Sequence, residues 1–354
     1  MKKFVVLLAL LLALLPVSAL ALDEDGPAGF VTVRDEEGRV LARCACEHGL
    51  EDEWITADNR RFVISGLDET GLQGRARLAE QVTLPEVDLP AAQSDWTPVV
   101  CVYCTHSDES YVPASGTESE AQGGDILEVA EAFADQLNRL GCKAVLDDSL
   151  HGPHDKKAYD RSRETAEALI ARQHPTLLVD IHRDGAPKDE YTFRVNDEEA
   201  THVRIVLGRK NENREDNEAF AQRIKAVADK LYPGLVKDIF LGKGRYNQDL
   251  MSRSLLLEIG THESDKEAAL NSAHYAARVV ASALGASGTV PETTPAATTA
   301  AQTATSRQTS PAVTATPSPA AESTSSFPTG PVVLILVILA LAAVCVIFLL
   351  RDKK

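Results

Sequence analysis

The chain has 354 residues, of which 25% are charged and 44% hydrophobic, the composition of an ordinary globular protein. Its 36 basic and 52 acidic residues give a formal net charge of −16. This balance argues against nucleic acid as a partner, because phosphate binding needs a cationic surface.

The first segment, residues 1–21, has the pattern of a secretory signal peptide. Lys2 and Lys3 form a basic start, residues 4–15 are apolar, and Ala-Leu-Ala at 19–21 supplies small residues for cleavage. An uncleaved membrane anchor is the alternative interpretation. Either way, we predict that the protein is exported.

Residues 22–76 contain short runs in which apolar and polar side chains alternate, such as 30–33 and 61–64. Alternation of this kind is typical of half-buried strands. We therefore predict a small β module here, followed by a proline-containing linker at 77–98.

From residue 99 to residue 285 the pattern changes, because short apolar runs alternate with segments of helical periodicity. We predict strands at 99–103, 143–146, 176–181, 203–208 and 255–259, and helices at 125–140, 160–172, 217–232 and 266–283. This order predicts an α/β domain with a mostly parallel sheet and helices on both faces. Functional residues are then expected at the carboxyl ends of the strands.

The end of the chain belongs to no folded core. Residues 286–330 are rich in Thr, Ala, Ser and Pro and lack periodicity, which predicts a disordered stalk. Residues 331–350 form an uncharged apolar run long enough to cross a ~30 Å hydrocarbon core. The basic tail at 351–354 should remain in the cytoplasm. We predict an extracytoplasmic protein anchored to the cell membrane by one C-terminal transmembrane helix.

Six cysteines in an exported chain raise the question of disulfides. Cys44 and Cys46 are one residue apart and would share one face of a strand. No spacing requires a particular pairing, so free thiols and bridges both remain open.

Imidazole and carboxylate side chains occur at three predicted strands. His106 and Glu109 follow the first strand, His182 ends a buried strand, and Glu258 lies inside an otherwise apolar strand. Catalytic zinc sites use three His or carboxylate ligands and keep a fourth position for water. Bound water of this kind becomes a nucleophile while a carboxylate moves protons. Together the strand ends predict a metal hydrolase.

Each of these residues also has a purely structural interpretation. His106 would be an ordinary loop histidine, and His182 a satisfied core histidine. A buried carboxylate needs a partner, so Glu258 would form a salt bridge with Arg183 or Arg245.

Residues 99–285 resemble the stage II sporulation protein P family. The motifs that carry the resemblance are Thr-His-Ser-Asp-Glu-Ser-Tyr at 105–111, the segment at 151–155, Tyr-Asp-Arg-Ser at 159–162, Asp-Ile-His-Arg-Asp at 180–184, Tyr-Asn-Gln-Asp-Leu at 246–250 and Leu-Glu-Ile-Gly at 257–260. The resemblance implies a relative of zinc-dependent N-acetylmuramoyl-L-alanine amidases. Such an enzyme cleaves peptidoglycan between N-acetylmuramic acid and the stem peptide, and peptide cleavage is a further implied activity.

The resemblance also implies a biological setting and roles for single residues. The setting is septal thinning and engulfment in endospore formation, alongside other sporulation proteins that remodel the wall. His106 and His182 match the metal-binding histidines of the family, and Glu258 matches its catalytic glutamate. We select Glu109 as the third ligand, because its spacing from His106 lets both side chains reach one Zn²⁺ ion.

Four further residues are assigned to the substrate or to the support of the ligands. Arg183 and Asp184 would orient substrate or the metal ligands. Tyr246 and Asn247 would line the groove, although Tyr-Asn-Gln-Asp also suits a turn that packs against the sheet.

Several alternatives stay open at this point. In related amidases the ligating glutamate comes later in the chain, which keeps Glu118, Glu120 and Glu128 as third-ligand candidates. The thiol of Cys104 would compete as a soft ligand near His106. A zinc peptidase acting on stem peptides and a non-catalytic wall-binding scaffold are the alternative functions. The predicted C-terminal anchor departs from the N-terminal span usual in the family.

Overall fold

The computed structural model describes residues 29–286, except 47, 90–95 and 156. The predicted signal peptide, the stalk beyond residue 286, the transmembrane helix at 331–350 and the tail lie outside these residues. Within the part that is described, no helix combines the length and apolarity needed to cross a bilayer.

Five strands form in the N-terminal part of the described chain. They are β1 (Val31–Arg34), β2 (Val40–Cys44), β3 (Glu53–Ile55), β4 (Arg60–Leu67) and β5 (Gln73–Gln81). The last of these runs into the segment predicted as a linker, so the linker begins later than residue 77.

Strands and helices then alternate as predicted. The elements are β6 (Val99–Tyr103), α1 (Val112–Ser115), α2 (Ile126–Arg139), β7 (Lys143–Leu146), α3 (Ala158–Gln173), β8 (Leu177–Asp184), β9 (Thr192–Val195), β10 (Glu198–Thr201), β11 (Val203–Gly208), α4 (Arg214–Leu231), β12 (Val236–Gly242), β13 (Ser254–Thr261) and α5 (Lys266–Leu284). Strand β12 and the β9–β10 hairpin were not predicted. Asp238 interrupts the apolar pattern of β12, and only its buried ion pair with Arg204 makes that position compatible with a central strand.

Local sequence explains the two helices that carry much of the core. In α2, Ile126, Phe133 and Leu137 recur at helical spacing and are buried. Asp265 caps the start of helix α5, because its carboxylate accepts the backbone N–H of Glu267 at 2.9 Å. Capping and an apolar stripe thus fix where these helices start and which side they bury.

Eleven of the described strands form one sheet in the order β2-β1-β5-β4-β3-β12-β11-β13-β8-β6-β7. From β12 to β7 the pairs are parallel except β11–β13, as predicted for residues 99–285. Among the N-terminal strands only β1–β5 is parallel. The α/β class is therefore confirmed, but the whole sheet is mixed.

The N-terminal strands join the main sheet and do not form a sheet of their own. Strand β3 pairs antiparallel with β12, with Trp54 opposite Phe240. The two rings stack with centroids 4.3 Å apart. An exposed β12 would leave a row of backbone groups without partners, and β3 satisfies them.

Both faces of the sheet are covered. Helices α2, α4 and α5 pack on one face, against side chains such as Val102 and Leu257. On the other face, α3 covers Cys101 and Tyr103. The N-terminal strands cover the rest of that second face, where Trp54, Phe240 and Leu256 belong to one buried cluster.

Arg204 joins the N-terminal strands to this second face. Its fully buried guanidinium donates from Nε to Asp238 at 2.7 Å and from Nη1 to Asp184 at 2.7 Å. Nη2 donates to the second oxygen of Asp238 at 3.0 Å, and the backbone carbonyl of Arg43 in β2 accepts from Nη1 and Nη2 at 3.3 Å. A buried cation is tolerated only when it is paired and hydrogen-bonded in this way.

We predict that Arg204→Leu lowers the free energy of unfolding by about 3–5 kcal/mol, because it leaves two buried carboxylates without a cation. Urea denaturation measures the change. Arg194→Ala is the control, since Arg194 pairs with Glu199 in solvent at 3.2 Å and such pairs contribute about 0–1 kcal/mol. Equal stability of the two variants would contradict the assignment.

Candidate metal centre

The polar residues of β8 alternate along one face of the sheet. Asp180, His182 and Asp184 are two residues apart, so they project to the same side. All three are buried. Glu258 of β13 pairs in register with His182, which places the two side chains next to each other.

The other part of the centre is the turn that follows β6, where the backbone N–H of Glu109 donates to the carbonyl of His106 at 3.1 Å. Gly124 packs directly onto this turn. A Cβ atom at that position would lie 2.0 Å from the Glu109 carbonyl oxygen, so only glycine fits. This close contact holds His106 and Glu109 against the end of β8.

The three predicted ligands meet. Glu109 Oε1 lies 3.3 Å from His106 Nδ1 and 3.4 Å from His182 Nδ1. All three potential ligand atoms lie within 4.8 Å of one another, and all three residues are buried. Zinc bonds of ~2.0–2.1 Å place tetrahedral ligands about 3.3 Å apart. The spacing and the donor types therefore fit one Zn²⁺ ion with a fourth position left for water.

Asp180 supports His182 from behind. His182 Nε2 lies 3.1 Å from Asp180 Oδ1, and the Asp180 carboxylate accepts the N–H and Oγ1–H of Thr105 at 2.8 and 2.6 Å. The contact lacks hydrogen-bond geometry, since His182 Nε2 has no hydrogen-bond partner among the described residues. Carboxylates behind ligating histidines tune the ring in metal sites, and here Asp180 acts on it through its charge. No role at the metal centre was predicted for Asp180. Its signal was a charged residue in an apolar strand, two positions before a ligand histidine.

Charges at the centre compensate each other. Burial lowers the pKa of His182, but Asp180 and Glu109 outweigh burial and hold that pKa well above its usual value. Burial raises the pKa of Glu109, but the charges of His182 and Arg183 outweigh it and hold that pKa well below its usual value. The cluster thus stabilises positive charge next to Glu109, as a cation site requires.

Glu258 differs from Glu109. Burial, reinforced by the charge of Asp184, raises the pKa of Glu258 well above its usual value. Over the described residues, its Oε2 atom has no hydrogen-bond partner, and no ion pair joins Glu258 to Arg183 or Arg245. A carboxyl group in this state is available for proton transfer.

Arg183 and Asp184 have mainly supporting contacts. Arg183 donates its backbone N–H to Glu109 Oε2 at 2.9 Å and its guanidinium to the carbonyls of Ser110 and Glu118. It therefore holds the ligand turn in place, and its side chain also lines the groove.

Asp184 is occupied by protein contacts. Its carboxylate accepts from Ala45 N, Ala186 N, Tyr191 Oη and Arg204 Nη1. These bonds use both oxygens, so the structure places Asp184 in the support of the fold.

Tyr246 and Asn247 both line the groove, as predicted. Tyr246 lines the groove and meets Tyr159 edge to face at 5.6 Å. The amide of Asn247 donates to the carbonyl of Tyr159 at 3.0 Å and to Ser162 Oγ at 3.1 Å. Asn247 therefore lines the groove and also ties its own turn to α3.

The other third-ligand candidates lie elsewhere. Glu118 and Glu120 are exposed, and Glu128 pairs with Lys266 at 3.0 Å. Cys104 belongs to the core on the opposite face, against α2, and burial raises the pKa of its thiol well above the usual value. The structure thus brings Glu109, and none of these four, to both histidines.

A groove of about 1250 Å³ opens at the centre, and Glu109, His182 and Glu258 line it. Phe30 and Cys46 of the N-terminal region also contribute to its lining. The N-terminal region therefore completes the groove.

Two aromatic residues of this region had no predicted role. His154 stacks on His106 with ring centroids 4.0 Å apart, and Tyr159 lies 5.6 Å from the same ring. Only the fold brings the segment after β7 to the turn after β6, which is why spacing did not reveal them.

Comparison with solved structures gives distant likenesses. The CwlD amidase from Clostridioides difficile, solved in complex with the GerS lipoprotein, is 15% identical, covers 53% of this chain and 96% of its own, and has a TM-score of 0.36. The catalytic domain of the CD27L endolysin covers 53% and 97%, with 15% identity and a TM-score of 0.36. Ami1 from Mycobacterium abscessus covers 53% and 96%, with 14% identity and a TM-score of 0.33.

Comparison with sequences is more specific. The Stage II sporulation protein P of Bacillus subtilis (strain 168) is 30% identical over 199 residues, which cover 51% of this chain and 50% of that protein. The chain thus matches about half the length of this curated relative. The sequence profile of the family described as Stage II sporulation protein P (SpoIIP) matches residues 64–281. Since that match spans more than half of the chain, the protein belongs to the stage II sporulation protein P family, which confirms the resemblance found in the sequence.

Proposed function

We propose that this protein is a peptidoglycan hydrolase of endospore formation. Its substrate bond is the amide between N-acetylmuramic acid and L-alanine, and its cofactor is Zn²⁺ held by His106, Glu109 and His182. The observation that carries the proposal is the buried His/Glu/His cluster, whose three potential ligand atoms lie within 4.8 Å of one another, beside Glu258 in a groove. Family membership supports the sporulation setting.

The chemistry follows from the residues around the centre. Bound zinc supplies a Lewis acid and a water of lowered pKa. Glu258 Oε2 accepts the proton of the attacking water and passes it to the amide nitrogen that leaves with L-alanine. Burial raises the pKa of Glu258, so that its carboxyl group can hold this proton before passing it on. The charge of Asp180 keeps the His182 ring oriented, and Arg183 keeps Glu109 oriented.

The groove explains how a neutral or anionic polymer could be recognised by an acidic protein. Tyr159 and Tyr246 present aromatic rings along its lining, and rings of this type offer flat apolar faces with a polar tip. Recognition then depends on shape and hydrogen bonds. Long-range attraction between charges is not needed.

The setting of the enzyme remains as the sequence predicts. Export by the segment at 1–21 and anchoring by the helix at 331–350 would place the groove outside the cell membrane, within reach of peptidoglycan. Other sporulation proteins that remodel the wall are the proposed partners.

We predict that His106→Ala and His182→Ala each remove the bound metal, because two remaining ligands cannot hold zinc tightly. Glu258→Gln should retain the metal and lose about 10²–10⁴-fold in turnover, the usual contribution of general acid–base catalysis. Elemental analysis and release of soluble wall fragments are the two measurements.

The matched control is His174→Asn. His174 lies at the end of α3 with φ of 49°, a conformation that asparagine tolerates. Full metal content and activity are expected for it. Hydrolysis of purified peptidoglycan by Glu258→Gln at the wild-type rate would contradict the assignment of Glu258 as the proton-transferring residue.

The bond cleaved can be read from the products. Digested peptidoglycan should show new free amino termini on alanine and stem peptides of unchanged length. Shortened stems would indicate the zinc peptidase instead, and sedimentation of the protein with the wall without any product would indicate the scaffold. Mass spectrometry of the soluble and insoluble fractions separates these outcomes.

We predict that Asp180→Asn weakens zinc binding by about 10–100-fold, the usual effect of losing a carboxylate behind a ligating histidine. Competition with a chromogenic chelator measures the affinity. Asp189→Asn is the control, because Asp189 lies in an exposed ion pair with Arg43. Both affinities are measured where both variants are folded, and unchanged zinc affinity in Asp180→Asn would argue against a positioning role.

A further inference from the structure

A second set of metal-ligating side chains lies outside the centre described above. Cys44 ends β2, and Cys46 and His48 follow at intervals of two residues. One potential ligand atom from each of the three lies within 4.8 Å of the others. Cys44 and His48 are buried and Cys46 is half-buried. In the structure the two cysteines form a disulfide.

The histidine of this set is held by aromatic packing. The His48 ring lies 5.1 Å from the Trp54 ring and stacks on Phe240 at 5.3 Å, measured between centroids. Both partners belong to the buried cluster of the N-terminal strands. The imidazole is therefore preorganised beside the two sulfur atoms, as a ligand has to be.

We propose that Cys44, Cys46 and His48 form a second metal site, which binds a divalent cation of the Zn²⁺ type when the disulfide is reduced. Two cysteines and one histidine are a known zinc ligand set, with water in the fourth position. Thiolates also select zinc over magnesium or calcium, which prefer oxygen ligands.

The redox step balances as follows. A thiol reductant gives two electrons and two protons to the Cys44–Cys46 bond, which yields two thiols and one disulfide of the reductant. Each thiol then releases its proton when its sulfur binds the cation. The same two sulfur atoms serve the disulfide and the metal site, so the two states exclude each other.

The turn that contains Cys44 and Cys46 contacts the end of β8, the strand that carries His182. The backbone N–H of Ala45, between the two cysteines, donates to Asp184 Oδ1 at 2.9 Å. A Cβ atom on Gly185 would lie 2.7 Å from the Cβ of Ala45, so this turn packs directly onto the end of β8. Cys46 itself lines the groove. Reduction of the disulfide and binding of the cation would therefore take place at the wall of the groove.

Cobalt distinguishes this site from the first one, because Co²⁺ bound to thiolate absorbs in the near ultraviolet by sulfur-to-metal charge transfer. The His106 centre contains no sulfur ligand. We expect the full chain, reduced by a phosphine without oxygen, to show this absorption when Co²⁺ is added. The absorption should be lost in Cys46→Ser, in Cys44→Ser and in the oxidised protein, and reduced in His48→Gln. Cys46 is half-buried, so Cys46→Ser remains informative if Cys44→Ser fails to fold.

Three controls make the experiment decisive. Cys104→Ser and Cys142→Ser should keep the absorption, because both thiols lie in the opposite core. His106→Ala should also keep it, which separates this proposal from the proposed function. Lack of thiolate absorption in the reduced protein, or absorption that survives in Cys46→Ser and disappears in Cys104→Ser, would overturn the proposal.

Discussion

The constraint on which this structure depends is the compensation of charge buried on one face of the sheet. Asp180, His182 and Asp184 of β8 are buried, and Glu258 of β13 lies half-buried beside His182. Arg204 compensates Asp184 and Asp238. His182 is compensated by Asp180 and Glu109. Because ions are costly to bury without partners, these pairings determine which groups remain available for chemistry.

Along β8, Asp184 is occupied by contacts that hold the fold together, whereas His182 faces the candidate metal centre. Asp184 has its oxygens filled by Arg204, Tyr191 and two backbone N–H groups, and it joins β2 to β8. His182, two residues earlier, has its Nδ1 atom directed to Glu109. The N-terminal strands, attached through Arg204 and the β3–β12 pairing, complete the groove. A segment that looks like a separate module therefore belongs to the architecture of the site.

The two proposed metal sites differ in donor chemistry and share one wall. The His106 centre has nitrogen and oxygen donors from the turn after β6 and from β8, whereas the Cys44 site has two sulfurs and one imidazole from the end of β2. Ala45, bonded to Asp184, connects them.

The sequence by itself determined nine of the strands and helices from residue 99 onward, because apolar periodicity depends only on neighbours along the chain. It also identified His106, Glu109, His182 and Glu258 as the residues to examine, through their unusual positions at apolar strands. It missed β12, Asp180, His154 and the union of the N-terminal strands with the main sheet. Each of these rests on a partner far away in sequence: Arg204 for Asp238, Thr105 for Asp180, His106 for His154, and Phe240 for Trp54. Contacts of this kind exist only after folding brings distant segments together, so only the tertiary structure decided them.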